Sequence, residues 1–285
     1  MYLMATGQGN HRAQCNLGIC YEYGKGVEVD AQKAFEMYTL SAEQGNARAQ
    51  CNLGICYEYG KGVDIDVKKA FELYQLSSSQ GNDYADCNLG VCYEHGKGVE
   101  VDMKRAMELY QRSAEKGNEY AQCNLAYLCE YGTGLEPVDM KKAVHYYELS
   151  AKQGYSRAQY HLALCYEHGN GAPVDHAKAF ELYQAAANQN HHKAEYCVGL
   201  CYEKGIGVEK ELSRAVEQYI LAAQKGVEYA QLRLGECYQF GKGVQMNVKK
   251  ARKFYLLAAH QGNEIAKIYA DALKDIQYLE HIKNG

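Results

Sequence analysis

The stretch CNLGICYEYGKGV occupies residues 15–27, returns letter for letter at 51–63, and recurs as CNLGVCYEHGKGV at 87–99. A catalytic centre needs unlike groups in one place, so the same sentence at a fixed step points to a structural module that stacks on itself. Aligned on Leu-Gly, AQCNLG begins at Ala13 and Ala49, ADCNLG at Ala85, AQCNLA at Ala121, AQYHLA at Ala158, AEYCVG at Ala194 and AQLRLG at Ala230. The steps are 36, 36, 36, 37, 36 and 36 residues, and the extra residue falls in TGLEPVD beside Pro137, where a loop absorbs it.

Each unit reads as two short helices. Ala13, Leu17 and Tyr21 lie four apart and make one apolar stripe of a first helix running from about Ala13 to Tyr23. Gly24 ends it, and Gly26 permits a tight turn because glycine accepts positive φ. Asp30 is placed to cap a second helix, as are Asp66, Asp102, Asp139 and Asp175, with Glu211 and Asn247 in the same slot. Ala34, Tyr38 and Ala42 form its stripe, echoed by Ala70, Tyr74 and Ser78. One such pair cannot bury its apolar face alone, whereas a stack can. The fold class expected is therefore all-α: a solenoid of seven helix–turn–helix repeats at 13–48, 49–84, 85–120, 121–157, 158–193, 194–229 and 230–265. Residues 266–285 open like another first helix, lack the Gly-x-Gly and read as a more polar capping helix. MYLMATGQGNHR aligns with MYTLSAEQGNAR at 37–48, so residues 1–12 read as the remnant of a preceding repeat, and the chain as a piece of a longer array.

The motif A-x-x-x-L-G-x-x-Y-x-x-G-x-G-V, followed by D-x-x-K-A-x-x-x-Y-x-x-A-A-x-x-G-N, resembles the Sel1-like repeat, a relative of the tetratricopeptide repeat. The resemblance implies a right-handed α/α superhelix with first helices on the concave face and second helices on the convex one. It also implies a scaffold or adaptor that binds other proteins. A cysteine-rich branch of that family bridges a cysteine early in the first helix to one in the preceding second helix. Here Cys15, Cys51, Cys87 and Cys123 hold the first position, but Ala42, Ser78 and Ala114 hold the other, so that bridge is missing.

Composition excludes several functions. In 285 residues the formal net charge is −4, which argues against a general nucleic-acid surface, and no apolar run is long enough to span a membrane. The charge is uneven: residues 230–285 carry 9 Lys/Arg against 5 Asp/Glu, a local +4 that leaves −8 for residues 1–229. Twelve cysteines without the family bridge read as reduced, small apolar residues, which favours a reducing, cytoplasmic location. The repeated Gly-Lys-Gly follows a helix and is not followed by Ser or Thr, so it is a turn rather than a phosphate loop.

Two columns on the first helices are candidates for a partner-binding groove. Asn16, Asn52, Asn88 and Asn124 offer donor and acceptor together and suit the backbone of an extended peptide. Glu22, Glu58, Glu94, Glu130, Glu167 and Glu203, ending at Gln239, run beside Tyr23, Tyr59, His95, Tyr131, His168, Lys204 and Phe240. Carboxylates beside rings favour basic side chains, so an extended basic segment is the expected partner, although Lys25 offers Glu22 a local ion pair instead. The alternative is a metal-binding or enzymatic protein: His161, Cys165, Cys197 and Cys201 could face one another across two adjacent first helices as soft ligands of the kind zinc prefers. Against that, Cys165 and Cys201 share the slot of Cys20, Cys56, Cys92 and Cys237, which points to packing. The expectation is thus a non-catalytic interaction scaffold without cofactor.

Overall fold

The computed structural model describes residues 9–132 and 137–283, with side chains to residue 274. Most of the expected remnant at 1–12 and most of the TGLEPVD loop lie outside the described residues. Among the described residues there are fifteen helices and no strand. The chain divides into two compact units, 1–139 and 140–285. Within each, a first helix packs on its own second helix, and that second helix packs on the next first helix.

Local chemistry sets the helix boundaries. The first helix His11–Tyr23 starts two residues before the expected Ala13, because the Asn10 side chain accepts from the N–H groups of Arg12 and Ala13. Asn46, Asn82 and Asn118 cap Ala47–Tyr59, Asp83–His95 and Glu119–Tyr131 in the same way. Gly24 closes the first of these in the left-handed region at φ 67°. Asp30, Asp66, Asp102, Asp175 and Asn247 cap second helices as expected. Glu211 holds the slot before Leu212–Gln224 without a side-chain cap bond. Its Oε2 lies 3.0 Å from Arg214 Nε instead, an outcome its longer side chain allows.

Packing explains the letters that periodicity leaves open. Tyr38, Tyr74, Tyr110, Tyr147, Tyr183, Tyr219 and Tyr255, one per second helix, are fully buried. Five of these rings lie directly against a glycine of the first helix, and the fourth and fifth repeats hold Ala126 and Ala163 in that slot. A Cβ added to Gly18 would sit 2.6 Å from Tyr38 Cε1, and Gly54, Gly90, Gly199 and Gly235 stand equally close to Tyr74, Tyr110, Tyr219 and Tyr255. Cys56 belongs to the same cluster as Tyr38, Ala34 and Leu53, so that cysteine slot packs against the tyrosine of the repeat before it. Cys20, one repeat step before Cys56 in the same slot, is only half-buried.

Candidate partner-binding face

The glutamate column is where the structure departs most from the sequence reading. Glu22 Oε2 accepts from Tyr38 Oη at 2.7 Å, and its Oε1 accepts from Lys61 Nζ at 2.9 Å. Glu58 does the same with Tyr74 Oη at 2.7 Å and Lys97 Nζ at 2.7 Å. Tyr110, Tyr183 and Tyr219 donate to Glu94, Glu167 and Glu203, and Tyr255 donates to Gln239 at 2.6 Å. Glu130 also has an interaction within the chain. Burial, and then the neighbouring carboxylate, push the Tyr74 hydroxyl far above its ordinary range, so it stays protonated and donates. The column therefore joins first helix to second helix, and at Glu22 and Glu58 also to the next repeat's loop. The reading of six carboxylates free to draw a basic segment is corrected on that ground. The local partner is corrected too: Glu22 takes Lys61, one repeat on from Lys25, while Lys25 lies 5.6 Å over the Tyr23 ring.

The asparagine column remains half-buried along the first helices. Asn88 Nδ2 lies 3.5 Å from Cys51 Sγ, and Asn124 Nδ2 lies 3.8 Å from Cys87 Sγ, each touching the cysteine of the previous repeat. Asn52 and Asn88 line one cavity of about 740 Å³ in the first unit, together with Tyr23, Arg48, Tyr84 and Tyr120. The rings of Tyr84 and Tyr120 stand 6.1 Å apart. Asn16 and Asn124 are not among its lining residues. Tyr23, Tyr59 and Tyr131 are all well exposed, but only Tyr23 lines this cavity. Arg48, Tyr84 and Tyr120 were missed by the column reading. The recurring Asp83-Tyr84-Ala85, Glu119-Tyr120-Ala121 and Glu228-Tyr229-Ala230 carried the signal for the tyrosines, which open each helix just outside the stripe.

A second cavity, of about 600 Å³, occupies the corresponding place in the second unit. Tyr160, Lys193, Tyr196, Cys197, Lys225 and Tyr229 contribute to its wall. These are the positions of Cys15, Arg48, Cys51, Asn52, Gln80 and Tyr84, carried four repeats along the chain.

The four candidate zinc ligands do not form a ligand set. Among the described residues no three His, Cys, Asp or Glu are placed to hold a metal ion. His161 stacks on Tyr147 at 5.2 Å with ring planes 9° apart. Cys165 and Cys201 are buried in the packing slot, and burial pushes the Cys197 and Cys201 thiols up to about 12. Cys165 and Cys201 thus belong to the repeat's buried core, while Cys197 and His161 are half-buried.

All twelve cysteines are free thiols, ten of them buried. Burial raises Cys51 and Cys92 to about 12 and Cys56 and Cys237 to about 11. At about pH 8 a thiol titrating near 12 is ionised to roughly one part in ten thousand. Alkylation of the folded protein should therefore be slow at these sites, with Cys20, the half-buried member of its slot, reacting ahead of them. Unfolded without reductant, the chain should titrate all twelve; a shortfall of two or more would reveal disulfides and overturn this account.

A family model for the Sel1 repeat matches residues 11–46, 47–82, 83–118, 119–155, 156–191, 192–227 and 228–263. The chain belongs to the Sel1 repeat family. Its matched spans begin where the first helices begin, two residues ahead of the frame set by Ala13. Among solved structures, this Sel1 repeat chain is similar to a protective antigen present in uropathogenic Escherichia coli strains, which displays the same repeat fold. The two are 32% identical with a TM-score of 0.74 over 95% of this chain. The chain spans 58% of the length of that protein. A Sel1 repeat protein from Oxalobacter formigenes is 30% identical with a TM-score of 0.72, covering 95% of this chain and 79% of its own. No curated protein matches. Sel1 repeat proteins commonly mediate protein–protein interaction and are generally non-catalytic.

Proposed function

We propose that this Sel1 repeat chain is a non-catalytic scaffold that receives an extended segment of a partner protein along its first helices. The observation that carries the reading is the first-unit cavity, whose lining joins two half-buried asparagines, Asn52 and Asn88, to Tyr23, Tyr84 and Tyr120. Amide side chains satisfy a peptide backbone without reading its side chains. Tyrosines supply broad contact area with few rotatable bonds. A basic partner is not part of this reading, because the glutamates that suggested one have internal partners. Free, deeply buried thiols suit a reducing compartment, and we place the protein there.

Peptide display against the immobilised protein tests the reading. Enriched peptides should lose affinity when Asn52 and Asn88 are both changed to Leu. Two neutral hydrogen bonds contribute roughly 1–3 kcal/mol together, or about 5- to 150-fold in Kd. Selected peptides that bind the double variant with unchanged affinity would move the binding face elsewhere.

A further inference from the structure

The second-unit cavity differs from its first-unit counterpart in charge. Gln80 of the first unit donates to Gln50 Oε1 at 2.7 Å, and Gln44, Gln189 and Gln261 repeat that bond to Gln14, Gln159 and Gln231. Lys116 holds the same slot and reaches buried Asp86 at 3.1 Å. Lys225 also holds it, and the matching acid, Glu195, is buried on the adjoining first helix. Yet Lys225 makes no ion pair among the described residues and lines the cavity instead. Lys193, which lines the same cavity, is likewise exposed and without an ion pair among the described residues.

The rest of the wall does not cancel these charges. Glu228 is the one acid lining the cavity, and its Oε1 accepts from Asn263 Nδ2 at 2.7 Å. Tyr160, Tyr196 and Tyr229 provide aromatic walls, with the Tyr196 and Tyr229 rings 6.2 Å apart. Glu228 and Tyr229 open a helix whose N-cap residue, Val227, makes no side-chain cap bond, and Gly226 precedes it in the turn. Two unpaired ammonium groups beside aromatic rings suit a carboxylate carried next to an aromatic side chain.

We infer that the cavity lined by Lys193 and Lys225 docks an acidic, extended segment of a partner protein, with a carboxylate set between the two lysines and an aromatic side chain against Tyr160, Tyr196 and Tyr229. This rests on the interaction-scaffold reading and gives the partner the opposite charge from the one the glutamate column suggested.

Fluorescein-labelled (Glu-Tyr)5, (Gln-Tyr)5 and (Lys-Tyr)5 peptides test it by anisotropy on the whole chain. At low salt the Glu peptide should bind about tenfold more tightly than the Gln peptide, from two part-exposed charge contacts, and the Lys peptide should bind most weakly. The preference should shrink severalfold in about 0.5 M salt. Lys193→Gln with Lys225→Gln should abolish it. Lys249→Gln with Lys253→Gln removes the same charge from the exposed helix face elsewhere in the unit and should leave it intact. The proposal is overturned if the Lys peptide binds as well as the Glu peptide, or if the preference survives the first pair of changes or is lost in the second. It is also overturned if none of the three peptides binds, while peptide display against the asparagine face judges the wider scaffold reading separately.

Discussion

Gly62→Ala should lower the urea midpoint sharply, at a cost of about 3–5 kcal/mol, while Gly26→Ala should cost only about 1 kcal/mol. Both glycines are the second of a Gly-Lys-Gly, and both are left-handed, at φ 70° and 75°. A methyl group strains the backbone equally at either. The difference is what lies above. A Cβ at Gly62 would stand 2.3 Å from the carbonyl oxygen of Ala31 and 2.7 Å from its carbon, at the start of the previous repeat's second helix. At Gly26 nothing lies within 4 Å. Backbone cannot rotate aside as a side-chain tip can, so the repeats would have to part locally. Gly98, Gly171, Gly207 and Gly243 make the same approach to Val67, Met140, His176 and Leu212. Equal unfolding midpoints for the two variants would show that the turn, and not the stacking contact, sets the need for glycine.

Glu58→Leu should cost about 2–4 kcal/mol, and Glu58→Gln less than about 1 kcal/mol. Leucine leaves the hydroxyl of a fully buried tyrosine without an acceptor, worth about 1–3 kcal/mol. It also releases Lys97, a part-exposed pair worth roughly 0.2–1 kcal/mol. Glutamine keeps an acceptor for Tyr74 and forfeits only the lysine's charge partner. The seventh repeat already works this way, with Gln239 accepting from Tyr255 at 2.6 Å. Thermal or urea unfolding of the two variants side by side reads the difference. If leucine proved as harmless as glutamine, the carboxylates would be surface groups after all, and the reading of a basic partner would return.

The repeat itself was legible because its signals are local. The step of 36 or 37 residues, the Asp30-type caps, Gly24 and the Ala-Leu and Ala-Tyr stripes each act within one turn or one helix, and the structure follows them. The cysteines could be read as packing residues because one slot holds them in repeat after repeat. The uses of Glu58, Gly62 and Lys97 were not legible in the same way. Each depends on a contact 16, 31 or 39 residues away. A stripe argument classes Glu58 as solvent-facing because it asks only about its own helix. The constant Glu-to-Tyr interval, from Glu22 and Tyr38 to Glu203 and Tyr219, was visible in the letters, but it becomes a bond only once the two helices are folded against each other.

By itself, then, the sequence determined the paired helices of each repeat, most of their second-helix caps and the family, since hydrophobic period, capping and turn chemistry are properties of neighbouring residues. Tertiary structure alone decided which polar groups are spent inside the chain and which stay exposed. Glu22 and Lys61 are both charged residues in repeated motifs, and packing one repeat on the next consumes them together. Lys225 carries the same charge as Lys116, but among the described residues only Lys116 forms an ion pair with the buried acid of its slot. A charge faces solvent or a neighbour according to where the following repeat is set down, and that placement is fixed by close backbone approach and buried tyrosines rather than by the charge.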